Sequence, residues 1–533
     1  MKQEVSDLMS EGASTYLISS LLRKIRPQVR IAFFAALVFG LVAQGTGLFN
    51  KLSHHDDIAC LFDPGTGVSS GRWMLQVFGW LEAKFYGNVN TSLPLFNGLT
   101  ALVCIGIAAG LLVDLFKIRN QVYCALLGCI MAAFPFVTAL FAYMFTAHTY
   151  MIGMLLMVCC AWLICRKNVW WVKVIAIFLG AASVGIYQSF IPMLLSALII
   201  YDLMLLVTDE RIKNRDFIKM AAVQVFCVLG VMAIYFAMNR FFLNKYSVQL
   251  SAYSGINEMG TMPVSVYMER IALAYREFFN PSRSVFQDMY PGTLHTVYQV
   301  MLIADGVLAA HLLIIVWGKN RIRAGLLFLL FALFPLGSNL IYVMAEEIHG
   351  LMVYGQVMQI VLLIWMLDQL EYKPSRIKQV ISLLASLALS VTAVMYARFD
   401  NQCYLKDTFH QQQAISYYTT LVTQIKSLKG YRPDMQLYFV NGFHTMDPTI
   451  YNIDELDFIR LIPYWHNSTE YMHATRQAFV NRWLGFQMNW YDDPAIEKLP
   501  EVEEMPSYPW DGSIRIVNDV VIVKFDPDPS AWW

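Results

Sequence analysis

Charged side chains are scarce in this sequence. Aspartate, glutamate, lysine and arginine make up 15% of its 533 residues, whereas about a quarter is usual in a soluble domain. Hydrophobic residues reach 57%, and the mean hydropathy is +0.47. The 39 basic and 39 acidic residues balance, so no excess of positive charge points to nucleic-acid binding. The composition predicts a polytopic α-helical membrane protein.

Metal-binding and nucleotide-binding patterns are also missing. The nine cysteines show no paired ligand spacing, and the sequence contains no glycine-rich nucleotide loop and no Walker pattern. Cys60 and Cys403 are predicted to lie outside the membrane and could form a disulfide, which their spacing does not decide. The other seven lie in apolar segments, where cysteine behaves as a small hydrophobic residue: Cys104, Cys124, Cys129, Cys159, Cys160, Cys165 and Cys227.

Long apolar runs predict the membrane spans, each of which needs about 20 mostly apolar residues. The short loops near 144–147, 188 and 345–350 carry no lysine or arginine. Because basic residues concentrate in cytoplasmic loops, this bias puts the N-terminus in the cytoplasm. Eleven segments are predicted to span the membrane: 29–49, 94–115, 121–143, 148–165, 170–187, 189–207, 218–240, 297–317, 323–344, 351–370 and 379–397.

This topology divides the chain into three parts. Residues 1–28 form a cytoplasmic segment, residues 29–397 a membrane domain, and residues 398–533 a small extracytoplasmic α/β domain. Two large loops of the membrane domain, 50–93 and 241–296, lie outside. An enzyme acting on that side has no nucleotide sugar at hand and would use a lipid-linked donor. Within the tail, the pattern predicts these elements: a helix at 407–428, a buried strand at 435–440 and a hairpin at 514–525 that turns at Asn518-Asp519.

The first outside loop gathers ionisable residues at the membrane surface, namely His54, His55, Asp56, Asp57 and Arg72. Such groups cost free energy beside a bilayer unless they face water or one another, so they are candidates for function. One of the two aspartates could take a proton from a sugar hydroxyl while the other binds a sugar, a cation or a histidine. Aspartate is also a common helix N-cap, which is the structural alternative.

Arg72 begins a segment, 72–86, whose apolar and aromatic side chains recur at helical spacing. The segment is too short to span a bilayer, and we expect an interfacial helix anchored by Trp73. A re-entrant hairpin is the alternative, which Glu82 and Lys84 disfavour. The Arg72 guanidinium could hold the phosphate of a departing lipid carrier, or it could anchor ordinary lipid.

Further candidates lie elsewhere in the chain. Tyr187 and Gln188 end the fifth predicted span, where a glutamine needs polar partners in a cavity or on another helix. Arg276, in the second outside loop, is another candidate phosphate ligand. His55 could bind a donor phosphate or, with Asp57, a divalent cation, although this spacing matches no recognised metal pattern. No metal ligand is therefore assigned, and a divalent cation is kept as a candidate cofactor.

Short motifs in the membrane region, together with Tyr404 and Lys426–Tyr431 at the start of the tail, resemble the glucosyl transferase II family of bacterial membrane enzymes. The similarity rests on His-Asp-Asp at 55–57, Gly-Arg-Trp at 71–73, Phe-Pro-Phe at 134–136 and Gly-Ile-Tyr-Gln-Ser-Phe at 185–190. It implies a GT-C type fold and an acidic pair in the first outside loop as the catalytic centre. It also implies a polyprenyl-phosphate-glucose donor. The expected partners are therefore this lipid donor, membrane lipid and a surface polysaccharide acceptor such as O-antigen, at the bacterial inner membrane.

Two other classes of membrane protein could have a similar arrangement of spans and outside loops. An O-antigen polymerase or ligase also has about a dozen spans, but its site relies on basic and histidine residues in a late loop. A lipid-linked glycan flippase predicts broken helices and charges near the bilayer midplane. Here the acidic pair lies in the first loop and the charges cluster at the outer surface. We therefore expect an inverting glycosyltransferase.

Overall fold

The structure is a computed structural model that describes most of the chain. The predicted site residue His54 lies outside the described residues, as do both ends of the chain. The described residues are 23–53, 55–61, 67–87, 92–166, 169–251, 262–281, 292–370, 375–441, 454–456, 458, 459, 461, 470–487 and 489–525.

Helices dominate from Pro27 to Ser427, and strands occur after Ser427. The helices are α1 (Pro27–Phe49), α2 (His55–Ala59), α3 (Trp73–Tyr86), α4 (Pro94–Leu115), α5 (Gln121–Ala133), α6 (Pro135–Phe141), α7 (Met144–Arg166), α8 (Trp170–Ile186), α9 (Ile191–Thr208), α10 (Asn214–Tyr246), α11 (Val264–Phe279), α12 (Thr293–Trp317), α13 (Arg321–Ser338), α14 (Ile341–Met344), α15 (Val357–Leu370), α16 (Arg376–Ser427), α17 (Glu470–Trp483) and α18 (Pro500–Glu503). The strands are β1 (Gln436–Val440), β2 (Asn489–Trp490), β3 (Ile514–Val517) and β4 (Val520–Lys524).

The predicted membrane spans coincide with helices. Among the described residues, nine helical stretches are long and apolar enough to cross a bilayer, one of which consists of α5 and α6 together, and α8 is apolar but has only 17 residues. The predicted span at 351–370 consists of two short 3-10 turns followed by the 14-residue α15. The prediction of a polytopic helical membrane protein is confirmed, and the count of eleven spans stays a prediction.

Proline interrupts one predicted span at a defined point. The segment at 121–143 forms two helices, α5 and α6, with Phe134 between them in an extended conformation. Pro135 causes this break, because proline disfavours the helical conformation of the residue before it and lacks an N–H for the helix. It then occupies the first position of α6, where its missing N–H costs nothing.

Helices α1 and α5 touch through their backbones. A Cβ atom on Gly128 would lie 2.2 Å from a carbonyl oxygen of α1, so glycine permits this approach, as small residues do at membrane helix contacts. Polar bonds extend the contact to two other helices. The Gln44 amide donates to Asp400 of α16 at 3.1 Å, and its oxygen accepts from Thr138 of α6 and from Tyr404 of α16. The bundle therefore includes the start of the polar half of α16.

Helix α16 is the main departure from the sequence prediction. A span at 379–397 and a separate helix at 407–428 are predicted, but the structure joins them into one helix of 52 residues, Arg376–Ser427. The segment contains no proline or glycine, so nothing in the backbone stops the helix where the side chains turn polar. At 1.5 Å per residue it is about 78 Å long, more than twice the thickness of a bilayer core.

The strands form a four-stranded sheet in the order β2-β1-β4-β3, packed against the polar half of α16. Strand β1 pairs in parallel with β2 and β4, and β3 pairs antiparallel with β4. Asn518 and Asp519 have φ angles of 48° and 65°, as a two-residue hairpin turn requires. The predicted strand and hairpin are confirmed, and the division of the chain into domains stays a prediction.

The core between α16 and the sheet also includes the first loop. Ile58 of α2 is fully buried in the same cluster as Tyr418 and Leu421 of α16 and Phe479 of α17. Arg482 of α17 donates to the carbonyl oxygen of Ile58 at 2.8 Å. The short helix that carries the acidic pair is therefore held by the C-terminal part of the chain as well as by the membrane bundle.

A distance measurement tests the continuity of α16. We expect spin labels on unnatural amino acids at Leu384 and Thr420, both exposed, to be about 54 Å apart, because 36 residues of helix have that length. Double electron–electron resonance on the purified protein measures this distance. A broad distribution centred well below that length would mean that the helix breaks where it leaves the bilayer.

Candidate functional site

Asp57 of α2 is fully buried, and its carboxylate is surrounded by hydrogen-bond donors. Oδ2 accepts from Lys51 Nζ at 2.5 Å and from Ser53 Oγ at 2.6 Å. Oδ1 accepts from Ser92 Oγ at 2.6 Å and from the backbone N–H of Phe145 at 2.9 Å. Burial lowers the pKa of Lys51, and the attraction of Asp57 opposes this shift. With both oxygens engaged, Asp57 acts as a structural anchor for the first loop.

Asp56 occupies the neighbouring position on α2 and is only half-buried. Successive residues of an α-helix leave the axis about 100° apart, so the Asp56 side chain points away from the direction of Asp57. Of the predicted acidic pair, Asp56 is thus the carboxylate that a solvent-borne group can reach. The backbone of His55 begins α2, but its side chain lies outside what the structure describes.

Arg72 lies at the N-terminus of α3 against two stacked tyrosines. Its Nη1 donates to the hydroxyl of Tyr150 on α7 at 3.0 Å, and its Cζ lies 5.1 Å from the centre of the Tyr187 ring. The two tyrosine rings are parallel within 5° and 4.8 Å apart. A guanidinium held by a hydroxyl and by the face of a ring is fixed in position, and it can bind an anionic group with two of its N–H groups.

Gln188 joins the backbone just before Arg72 to α10 by two hydrogen bonds. Its Nε2 donates to the carbonyl oxygen of Ser70 at 2.9 Å and to the hydroxyl of Tyr235 on α10 at 3.0 Å. Gly71 adopts a φ of 75°, and a Cβ atom there would lie 2.5 Å from the Tyr235 hydroxyl and 2.7 Å from Gln188 Nε2. Glycine is therefore required for both the conformation and the space.

Trp73 completes the cluster on its apolar side. Its indole ring lies against Gly185, where a Cβ atom would come within 2.5 Å of the ring. On its other side it stacks on Phe242 of α10 at 5.5 Å. The structure thus brings together four residues that the sequence analysis singled out, from the first loop and from the end of α8: Arg72, Trp73, Tyr187 and Gln188.

Helix α7 links this cluster to the acidic pair. Phe145, whose N–H binds Asp57, and Tyr150, which binds Arg72, are five residues apart on α7, a rise of about 7.5 Å. Between them His148 Nε2 lies 2.7 Å from Glu82 Oε1 of α3. No local sequence pattern indicates a role for Tyr150 or for the His148–Glu82 pair. The one available signal for that pair is that its ionisable residues lie beside apolar runs.

Arg276 lies apart from this cluster. It is on α11, its side chain is 67% exposed, and its nearest acidic partner is the adjacent Glu277 at 3.5 Å. Helix α11 packs on α13 and α14, so none of the described contacts joins Arg276 to the first loop. The predicted role of Arg276 as a phosphate ligand stays a prediction.

Metal binding and a disulfide were open questions of the sequence analysis. Over the described part of the chain, no group of three or more histidine, cysteine, aspartate or glutamate residues could hold a metal ion. A divalent cation that uses His54 or His55 involves side chains outside that part, so this candidate is untested. Cys403 is a free thiol that is fully buried in α16, so the structure does not join it to Cys60 in a disulfide.

A pair of glycine variants tests the packing around Gln188. Gly71 and Gly87 have almost the same φ, 75° and 74°, but a Cβ atom on Gly87 would meet nothing within 4 Å. We expect Gly87→Ala to cost about 1–2 kcal/mol through its backbone conformation alone. Gly71→Ala should cost about 1–3 kcal/mol more, because its methyl group displaces Gln188 and Tyr235. Thermal unfolding of the detergent-purified protein measures both, and equal losses would refute the close contact.

Comparison with known proteins places the chain in a family. The family model described as Glucosyl transferase GtrII matches residues 45–367, more than half of the chain. The matched segment contains Asp56, Asp57 and the cluster around Arg72, and it ends within α15. No curated protein and no solved structure matches the chain. The protein thus belongs to the GtrII glucosyl transferase family.

Proposed function

We propose that this protein transfers glucose from a polyprenyl-phosphate carrier to a surface polysaccharide such as O-antigen, on the extracytoplasmic side of the bacterial inner membrane. The observation that carries the proposal is the arrangement on α7, whose residues Phe145 and Tyr150, five apart, contact Asp57 and Arg72. One helix thus holds both the short helix that carries Asp56 and the arginine beside the stacked tyrosines. This arrangement suits a reaction that needs a base near a sugar hydroxyl and a cation beside the leaving group.

The reaction is a single displacement with inversion at the anomeric carbon. Asp56 accepts the proton of an acceptor hydroxyl as its oxygen forms the new bond to the anomeric carbon. The bond from that carbon to the carrier phosphate oxygen breaks, and the phosphate departs with the electron pair. The Arg72 guanidinium neutralises the negative charge that grows on this oxygen. Such electrostatic stabilisation is commonly a large part of enzymatic rate enhancement.

Asp56 suits the role of the base better than Asp57 does. A general base must come within hydrogen-bond reach of the proton it removes, and the half-buried Asp56 can do so. The Asp57 oxygens already accept four hydrogen bonds, and its side chain is fully buried. We assign Asp57 the task of holding α2 on the N-terminus of α7, where the helix dipole favours a negative charge.

The surface of α3 suits a lipid carrier. Trp80, Leu81 and Phe85 are exposed on this helix, which begins at the proposed phosphate-binding residue. The ammonium group of Lys245 at the end of α10 lies 4.3 Å from the centre of the Trp80 ring. Aromatic residues and a cation at one level are typical of the membrane interface, so a lipid phosphate arriving there would meet Arg72 from the membrane side.

Asparagine variants of the acidic pair separate catalysis from folding. We expect Asp56→Asn to lower the rate of sugar transfer from purified lipid donor by about 10²–10⁴-fold, because the amide cannot accept the proton. Its melting temperature is measured alongside, so that loss of the base is distinguished from loss of the fold. Asp57→Asn should instead lower the free energy of unfolding by about 2–3 kcal/mol, because it breaks a buried ion pair and its hydrogen bonds. If Asp56→Asn retains normal turnover, the catalytic base lies elsewhere.

Arginine variants test the proposed phosphate site. Arg72→Ala should lower kcat by about 10²–10³-fold, by comparison with other groups that stabilise charge in a transition state. Arg276→Ala is the matched control in the second loop and should transfer sugar at nearly the wild-type rate, because that arginine is exposed. Transfer from purified lipid donor measures both variants. Loss of activity in Arg276→Ala alone would move the phosphate site to the second loop.

A further inference from the structure

A polar groove lies at the edge of the C-terminal sheet, outside the segment matched by the family model. Its volume is about 800 Å³. The starts of the parallel strands β1, β2 and β4 meet there, because Gln436 pairs with both Asn489 and Val520. The turn at Asn518-Asp519 and Gln477 of α17 complete its walls. None of these residues has a role in the proposed transfer step.

Two consecutive aromatic residues, Trp490 and Tyr491, line this groove from opposite faces of the sheet. The Tyr491 ring lies against Tyr438 on the face away from α16. Both groove residues are half-buried, and their backbone is fixed by the sheet. The N–H of Tyr491 donates to the carbonyl oxygen of Leu437 at 3.0 Å, and Gln436 Nε2 donates to the carbonyl oxygen of Trp490 at 3.1 Å. The Trp490 ring packs edge-on against Phe439 at 4.9 Å. Rigid aromatic surfaces of this kind lose little entropy when they bind a ligand.

Neutral amides and compensated charges make up the polar lining. Asn489, with an exposed side chain, and Gln477 can each donate and accept hydrogen bonds. Arg432 pairs with Asp519 at 2.8 Å and with Asp434 at 3.4 Å. Because its charge is compensated by two carboxylates, the groove does not attract phosphate or nucleic acid. Amides, carboxylates and flat aromatic rings together suit a neutral polyol.

The groove and the first loop are connected through α17. Gln477 lines the groove, and Arg482, five residues later on the same helix, donates to the carbonyl oxygen of Ile58 on α2. Five helical residues span about 7.5 Å. A long ligand held in the groove is therefore close to the helix that carries Asp56.

We propose that this groove binds sugar residues of the acceptor polysaccharide and holds the chain while one of its units reaches the first loop. This inference rests on the proposed function for the identity of the ligand. Trp490, on the face of the sheet that packs on α16 and α17, stacks on the apolar face of a sugar ring, and Gln477, Asn489 and Asp434 bond to the ring hydroxyls. The groove is thus a second binding site, separate from the site where transfer occurs.

Binding without donor tests the groove independently of catalysis. The probe is the unmodified surface polysaccharide purified from a strain that lacks this gene, added to the full-length protein in nanodiscs. We expect Trp490→Ala to weaken its affinity about tenfold, the loss of about one stacking interaction. Asn489→Ala removes an exposed amide that the fold does not use and should weaken affinity several-fold. The control is Trp510→Ala, which removes a 61% exposed tryptophan outside the groove. This variant should bind the polysaccharide as the wild type does.

Transfer assays with two acceptor lengths complete the test. We measure kcat/KM for the long polysaccharide and for a single repeat unit. The ratio of the first value to the second should fall about tenfold in Trp490→Ala, because the short acceptor does not reach the groove. Unchanged polysaccharide affinity in both Trp490→Ala and Asn489→Ala would overturn the proposal. If wild-type protein binds the polysaccharide at the groove but transfers no glucose to it, the proposed function fails while the groove site stands.

Discussion

The buried carboxylate of Asp57 is the constraint on which the rest of the site depends. It binds Lys51, Ser92 and the N-terminal N–H of α7 at once, and so fastens both ends of the first loop to one membrane helix. Because a buried charge is costly unless fully paired, the loop has one stable position on the bundle. Asp56 lies on the same short helix and takes its position from this anchor.

Membership of the GtrII family makes this a membrane glucosyltransferase that acts on surface glycans. In the structure, the residues of the short motifs have different roles. Gly71 and Gln188 position Arg72, Gly185 accommodates Trp73, and Asp57 holds the helix of Asp56. Residues that read as one acidic pair in the sequence thus have different surroundings, and only one of them is accessible.

The sequence predicts local features well and long-range contacts less well. Hydrophobic runs locate the membrane helices, and Asn518-Asp519 identifies the hairpin, because these signals lie within a few residues. The bond of Arg72 to Tyr150 and the contact of Ile58 with α17 join residues far apart in the chain, and no local pattern encodes them. The predicted domain boundary at 398 lies where the side chains turn polar. Polarity alone does not end a helix, so the sequence does not indicate that α16 continues unbroken.

Because α16 is unbroken, the number of residues between the membrane bundle and the sheet fixes the rotation of the sheet about the helix axis. Tyr396 is buried in the membrane bundle, and Tyr418, 22 positions later on the same helix, is buried against the sheet. One residue added in that interval would raise the sheet by about 1.5 Å and turn it by about 100° about the axis, which would detach Ile58 and α2 from their partners. Changes of length there are tolerable only in steps close to whole turns, such as seven or eleven residues. The distance between the membrane and the groove can therefore change only in discrete increments.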